Sequence, residues 1–150
     1  MLTTAANFRG LPHRTQLVIE RNGVRWYDDS KGTNVGATLA ALQGIDSHVV
    51  LIAGGVGKDA DFSPLRDIAE KKCRAVILMG RDAQLIEDAL GGSVPVQRAE
   101  SMEDAVRQAE HLAHSGDAVL LSPACASFDM FENYQERGNA FIRCVTELDS

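Results

Sequence analysis

Asp29-Ser30-Lys31-Gly32-Thr33-Asn34-Val35-Gly36-Ala37-Thr38-Leu39-Ala40-Ala41-Leu42 is the stretch whose reading decides the fold. An aromatic and β-branched run ends where it begins, a polar loop follows, and a helical pattern takes over. Strand, loop and helix in that order form a ligand cradle. Asp29 can accept from hydroxyls, Lys31 can pair with an anion, and Thr33 and Asn34 can cap a helix whose free N–H groups favour negative charge. The loop is therefore suited to a polyanionic ligand.

Upstream, residues 15–20 and 24–28 read as two strands around Asn22-Gly23, the strongest short-range hairpin signal. The first dozen residues carry one apolar patch, Ala5, Ala6 and Phe8, ending at Gly10, and read as the tail of a helix cut short. Downstream, the helix runs to about Leu42 and is followed by a strand at 48–53. A glycine-rich loop then extends to Asp61, and Ser63-Pro64 opens a helix, as cap and first-turn proline, that reaches about Lys72. A strand at 75–79 precedes a helix at 82–90 with Leu85, Ile86, Ala89 and Leu90 on one face. A short strand at 94–97 leads to a helix capped by Ser101, with Asp104 in a capping-box-like position. Its apolar positions Met102, Ala105, Val106, Ala109 and Leu112 keep helical spacing, and Gly116 is its predicted end. The last predicted strand is 118–122.

Strands rich in Val, Ile and Leu, without strict alternation and each followed by an amphipathic helix, predict an α/β fold. The expected architecture is a doubly wound, mostly parallel, Rossmann-like sheet with an N-terminal β-hairpin and helices on both faces. Ligands of such sheets bind beyond the carboxyl ends of the strands. Three of those ends carry polar loops, at 29–34, 54–61 and 123–129, and these form the candidate site. No repeat, low-complexity tract or linker interrupts residues 1–150, so a single domain is expected.

Composition narrows the class. Of the 150 residues, 45% are hydrophobic and 24% charged, a globular balance. The net charge of −6 and the scatter of Lys and Arg leave no basic stripe for nucleic acid. The apolar runs are too short to span a bilayer and no leader follows Met1, so a soluble cytoplasmic protein with no membrane partner is expected. Cys73, Cys125 and Cys144 are odd in number and widely spaced, which fits a reducing compartment better than a disulfide framework or zinc knuckle.

Gly54-Gly55-Val56-Gly57-Lys58 invites a phosphate-loop reading, but Ile52 stands where the first glycine belongs and Asp59 where Ser or Thr would bind magnesium. Gly55, Gly57 and Ala60 match a dinucleotide fingerprint literally, yet the next helix opens only near Ser63. A lysine lifted on glycines beside two other polar loops still points to an anion. Asp29 and Lys31, taken alone, read as a solvated pair of opposite charges. In Ser122-Pro123-Ala124-Cys125-Ala126-Ser127, small residues let N–H groups and hydroxyls approach a ligand. Cys125 has no partner base nearby in sequence and reads as a small buried hydrophobe. His111 and His114 lie three apart without an acidic third ligand and read as surface residues near a helix end. For His13-Arg14, a hinge and a phosphate contact both stay open.

Three motifs resemble those of the D-glutamate-adding branch of the Mur ligase family: Leu11-Pro12-His13-Arg14, Asp29-Ser30-Lys31-Gly32-Thr33-Asn34, and Ser122-Pro123-Ala124-Cys125-Ala126-Ser127-Phe128-Asp129. The resemblance runs over nearly the whole chain, with residues 54–62 between the motifs. Other Mur ligases and the folylpolyglutamate synthases carry an Asp-aromatic-Ala-His type motif at the first polar loop, where this chain has Asp-Ser-Lys. The resemblance implies the C-terminal domain of a three-domain cytoplasmic ligase of peptidoglycan synthesis. Such a ligase uses ATP and Mg2+ to join D-glutamate to UDP-N-acetylmuramoyl-L-alanine through an acyl phosphate. By similarity, Thr33, Lys58 and Ser127 hold the carboxylates of D-glutamate, with Phe128 and Tyr134 beside them. Arg14 faces the nucleotide phosphates, Asp29 the ribose, and Lys31 the nucleotide. No metal ligand and no certain catalytic residue is implied in this chain.

Two departures stand out: Val56 where the family often has aspartate, and Tyr134 where it commonly has phenylalanine. The family's central ATP-binding domain and N-terminal UDP-binding domain have no counterpart in these residues. The isolated chain is therefore expected to be inactive. The competing reading is a stand-alone small-ligand or dinucleotide-binding α/β module.

Overall fold

The computed structural model describes residues 15–57, 60–125 and 131–148. Six strands form one sheet in the order β1-β2-β6-β3-β4-β5. β1 (Gln16–Arg21) and β2 (Val24–Asp28) are the antiparallel hairpin. β3 (Val49–Gly54), β4 (Cys73–Met79), β5 (Val96–Arg98) and β6 (Ala118–Leu121) run parallel to one another and to β2. The hairpin turns as expected, because Asn22 and Gly23 both adopt positive φ, +56° and +78°, which matches the twist of the flanking strands. A bulge between Leu17 and Ile19 bends the edge strand.

The helices among the described residues are α1 (Val35–Gln43), α2 (Leu65–Lys72), α3 (Ala83–Leu90), α4 (Met102–Leu112) and α5 (Tyr134–Thr146). Alternation along the strands sorts two cores. Val49, Leu51, Ala53, Val76, Leu78 and Leu120 face α1, α2 and α3. Val50, Ile52, Ile77, Met79, Val119 and Leu121 face α4 and α5, joined there by Trp26 and Phe141. The doubly wound mostly parallel sheet is thus as expected, with helices on both faces.

The differences have local causes. α2 starts at Leu65 after Pro64 with no side-chain cap, because Ser63 is drawn into a turn by its N–H bond to Asp61. Leu85 is half exposed, since the buried stripe of α3 is Ala83, Ile86 and Leu90. α4 ends at Leu112, and Gly116, with φ +97°, instead shapes the turn into β6. Ser101 caps α4 through the Asp104 amide, and Asp104 in return accepts from the Glu100 amide. The patch at Ala5, Ala6 and Phe8 lies outside the described residues.

α5 is the element that sequence reading passed over. Its signal is Asn133-x-x-Glu136: Asn133 accepts from the Glu136 amide, and the Glu136 carboxylate accepts from the Glu132 amide. Ala140, Phe141 and Val145 then follow at helical spacing and are buried.

Candidate functional site at the carboxyl ends of three strands

β6 is inserted between β2 and β3, so the loops that leave these three strands become neighbours. They are stitched through the backbone. The Asp29 amide donates to the Leu121 carbonyl at 2.7 Å, Ala124 to Gly32 at 2.9 Å, and Gly54 to Pro123 at 3.0 Å. Small residues permit this approach. A Cβ on Gly32 would lie 2.7 Å from Asp29 Oδ2 and 2.8 Å from Ser122 Oγ, and a Cβ on Gly54 would lie 1.8 Å from the Met79 carbonyl oxygen.

Asp29 is buried, 3% exposed, at the centre of the junction. Its Oδ1 accepts from the Thr15 amide at 2.9 Å and hydroxyl at 3.2 Å, and its Oδ2 accepts from the Ser122 hydroxyl at 2.7 Å. Burial pushes the Asp29 carboxyl above the usual carboxylate range, and these donors offset only part of that rise. Thr38 of α1 donates to the Ser122 carbonyl at 3.1 Å, which ties the helix to the same junction.

Lys31 is half-buried. Its Nζ lies 3.2 Å from the Tyr134 hydroxyl and 4.5 Å from the centroid of the Tyr134 ring. Thr33 is exposed, and its amide donates to the Lys31 carbonyl at 2.8 Å. Asn34, not Thr33, caps α1, accepting from the Ala37 amide at 2.9 Å. A cleft of about 470 Å³ opens beside them, with Asp29, Lys31 and Asn34 at one end and Ala37, Ala40 and Gly44 along α1.

The glycine-rich loop is held from β4. The Gly57 amide donates to Asp82 at 2.7 Å, and the Asp82 amide donates to the Gly55 carbonyl at 3.0 Å. The Arg81 guanidinium and the Gly57 N–H hold the Asp82 carboxyl below the usual range. Gly57 belongs to the glycine-rich stretch already singled out, but the anchoring role of Asp82 is not legible in the sequence. Nor is that of Arg137 of α5, 1% exposed, whose Nη2 donates to the Ser30 carbonyl at 3.0 Å and whose Nε donates to the Ser30 hydroxyl at 3.2 Å.

Asp29, Lys31 and Thr33 therefore lie on the loop beyond the carboxyl end of β2, where Tyr134 meets Lys31. Arg14, Lys58, Ser127 and Phe128 lie outside the described residues; Lys58 follows directly on Gly57, and residues 126–130 follow directly on buried Cys125. Val56 is half-buried on the glycine-rich loop, and His111 and His114 are exposed. Among the described residues no group of three or more His, Cys, Asp or Glu could hold a metal ion, and no helix is long and apolar enough to cross a membrane.

A polar junction of this kind accompanies a family-level match: residues 13–125 match the family described as Mur ligase, glutamate ligase domain. The chain belongs to the Mur ligase family. Over 99% of its length it is 58% identical to the UDP-N-acetylmuramoylalanine–D-glutamate ligase of Pseudomonas aeruginosa, and over 94% it is 61% identical to that of Aromatoleum aromaticum. It spans about a third of each relative, 34% and 31%. The fold is shared with a murein peptide ligase of Psychrobacter arcticus, with a TM-score of 0.63 at 14% identity over 94% of this chain and 31% of that one. It is shared too with Mycobacterium tuberculosis folylpolyglutamate synthase, with a TM-score of 0.60 at 16% identity over 87% of this Mur ligase domain and 32% of that chain.

Proposed function

We propose that this chain is the D-glutamate-binding domain of an ATP-dependent cytoplasmic ligase that extends UDP-N-acetylmuramoyl-L-alanine in peptidoglycan synthesis. The observation that carries this reading is the identity of 58% and 61% to two ligases named for that amino acid, sustained over nearly the whole chain. The Asp-Ser-Lys form of the first polar loop supports the same branch.

In this reading Lys58, Thr33 and Ser127 supply a cation and two hydroxyls to a dicarboxylate, with Phe128 and Tyr134 as the adjoining wall. Arg14 and Lys31 face the nucleotide phosphates. Asp29, which lines the cleft next to Lys31, takes the ribose role that the family resemblance implies. The cleft along α1, lined by alanines and glycine, lies beside Asp29 and Lys31. ATP activates the L-alanine carboxylate as an acyl phosphate; the D-glutamate amine attacks that carbonyl and phosphate leaves. This chain contributes binding and orientation to the step. The phosphate cradle and the Mg2+ ligands belong to the companion domains, so the chain alone turns nothing over.

The test is steady-state kinetics of the full-length ligase with D-glutamate varied at saturating ATP and UDP-precursor. Lys58→Ala leaves a carboxylate without its cation, a loss of about 2–5 kcal/mol in a closed site. The KM for D-glutamate should rise steeply or turnover should vanish. Ser127→Ala should act in the same direction but more weakly, as loss of one neutral donor. Wild-type values for Lys58→Ala would place the amino acid on another loop.

A further inference from the structure

Among the described residues, Lys31 has no acidic partner. Its ammonium instead meets α5, 103 residues away in sequence, at the Tyr134 hydroxyl and over the Tyr134 ring. The same first turn of α5 grips the loop that carries Lys31. Ser30 donates its hydroxyl to the Tyr134 carbonyl at 2.6 Å, and Arg137 donates to both the Ser30 hydroxyl and the Ser30 carbonyl. Ser30 is itself fully buried, and its amide donates to Asp28 at 2.9 Å. One helical turn thus fixes the backbone before Lys31 and the far end of its side chain.

This double attachment has a chemical consequence. A lysine on a loop loses rotamer freedom when it binds an anion, and holding the ammonium beforehand reduces that loss. A phenol oxygen and an aromatic face attract an ammonium without neutralising it, unlike a carboxylate, so the full charge stays available to a phosphate. We propose that Tyr134 and Arg137 are positioning residues for Lys31, pre-setting its ammonium at the mouth of the α1 cleft for the phosphates of the nucleotide. The proposal rests on the nucleotide-facing role given to Lys31 above. It extends that role to α5, so the wall assigned to the amino acid and the lysine assigned to the nucleotide share one side chain, Tyr134.

Two measurements test it. The first needs no ligand: acylation of amines in the 150-residue chain by a water-soluble acetylating ester, followed by mass spectrometry with exposed Lys71 as internal reference. Tyr134→Phe keeps the ring and removes only the hydroxyl, and it should speed labelling of Lys31 about three- to tenfold relative to Lys71. Arg137→Lys keeps a charge but cannot bridge both Ser30 oxygens, and it should fall between the two. An unchanged Lys31 to Lys71 ratio in Tyr134→Phe overturns the proposal. The second uses the full-length ligase. Lys31→Met and Tyr134→Phe should both raise the KM for ATP, the former more, and both by a larger factor than the KM for D-glutamate. If Lys31→Met raises it and Tyr134→Phe does not, the positioning role fails alone. If neither does, the nucleotide reading of Lys31 fails and the positioning role with it.

Discussion

The Ser122 hydroxyl donates to Asp29 Oδ2 at 2.7 Å, joining the ends of β6 and β2 through a buried pair 93 residues apart in sequence. Removing that donor leaves a buried carboxylate with fewer partners than its burial requires. Ser122→Ala should destabilise the chain by about 1.5–3 kcal/mol, the range for a hydrogen bond to a charged group. It should also push the Asp29 carboxyl further above the usual range. Denaturant unfolding and a carbon-detected carboxyl titration measure the two effects, and an unmoved Asp29 titration would show that the hydroxyl matters little.

The opposite end of the sheet carries a carboxylate shifted in the opposite direction. Burial works to raise the Asp117 carboxyl, but bonds from Arg74 at 2.6 and 3.1 Å and from the His114 amide at 2.8 Å outweigh it and hold it below the usual range. A carboxyl lowered in the folded state contributes stability that is present above its unfolded pKa, roughly 4, and lost as pH falls through the folded value. Asp29, raised by burial, works the other way: its contribution is present below the ordinary carboxylate range and lost as pH rises through its folded value. Unfolding free energies measured from pH 2 to 6 should therefore fall on the acid side, and less steeply in Asp117→Asn. An identical acid slope in that variant would assign the acid sensitivity to other groups.

Two glycines near the site, Gly54 at the end of β3 and Gly36 in α1, should respond in opposite directions to alanine. Gly54 has φ +126° and abuts the Met79 carbonyl, so Gly54→Ala combines backbone strain with a clash and should cost roughly 3 kcal/mol or more. Gly36, in the first turn of α1, would place a Cβ no closer than 3.5 Å to Asn34 Oδ1. Gly36→Ala should gain up to about 1 kcal/mol from helix propensity. Thermal melts of both decide whether the glycine-rich junction is required by geometry.

The two cores lie on opposite faces of one set of strands, so they should be lost together. Trp26 reports on the α4 and α5 face. Cys73 reports on the other, where burial pushes its thiol up to about 12 and keeps it unreactive near neutral pH. Cys73 labelling and tryptophan fluorescence should give one urea midpoint. Separate midpoints would divide residues 15–148 into units that unfold independently.

How much of this was legible beforehand depends on the range of the interaction that decides each feature. The Asn22-Gly23 turn, the Ser101 cap and the Val, Ile and Leu strands are set by backbone sterics and burial within a few residues, and all appear where the pattern places them. Capping was misjudged at Ser63, where an Asx turn competes, and α5 was overlooked although its Asn133 and Glu136 pair was readable.

The site divides in the same way. Sequence by itself determined that polar loops follow strands, because a strand-to-helix switch with Asp, Lys and Gly is a local pattern, and it determined the family through three motifs. Only the tertiary structure decided that β6 enters between β2 and β3, since strand order is set by long-range packing of helices on two faces. That insertion buries Asp29 against Ser122, reducing a surface-looking Asp29 and Lys31 pair to one buried acid and one lysine bonded elsewhere. It also sets Arg137 under Ser30, a buried cation that no local pattern announces, because Ser30 lies 107 residues away in sequence and the two meet only when α5 closes the second face.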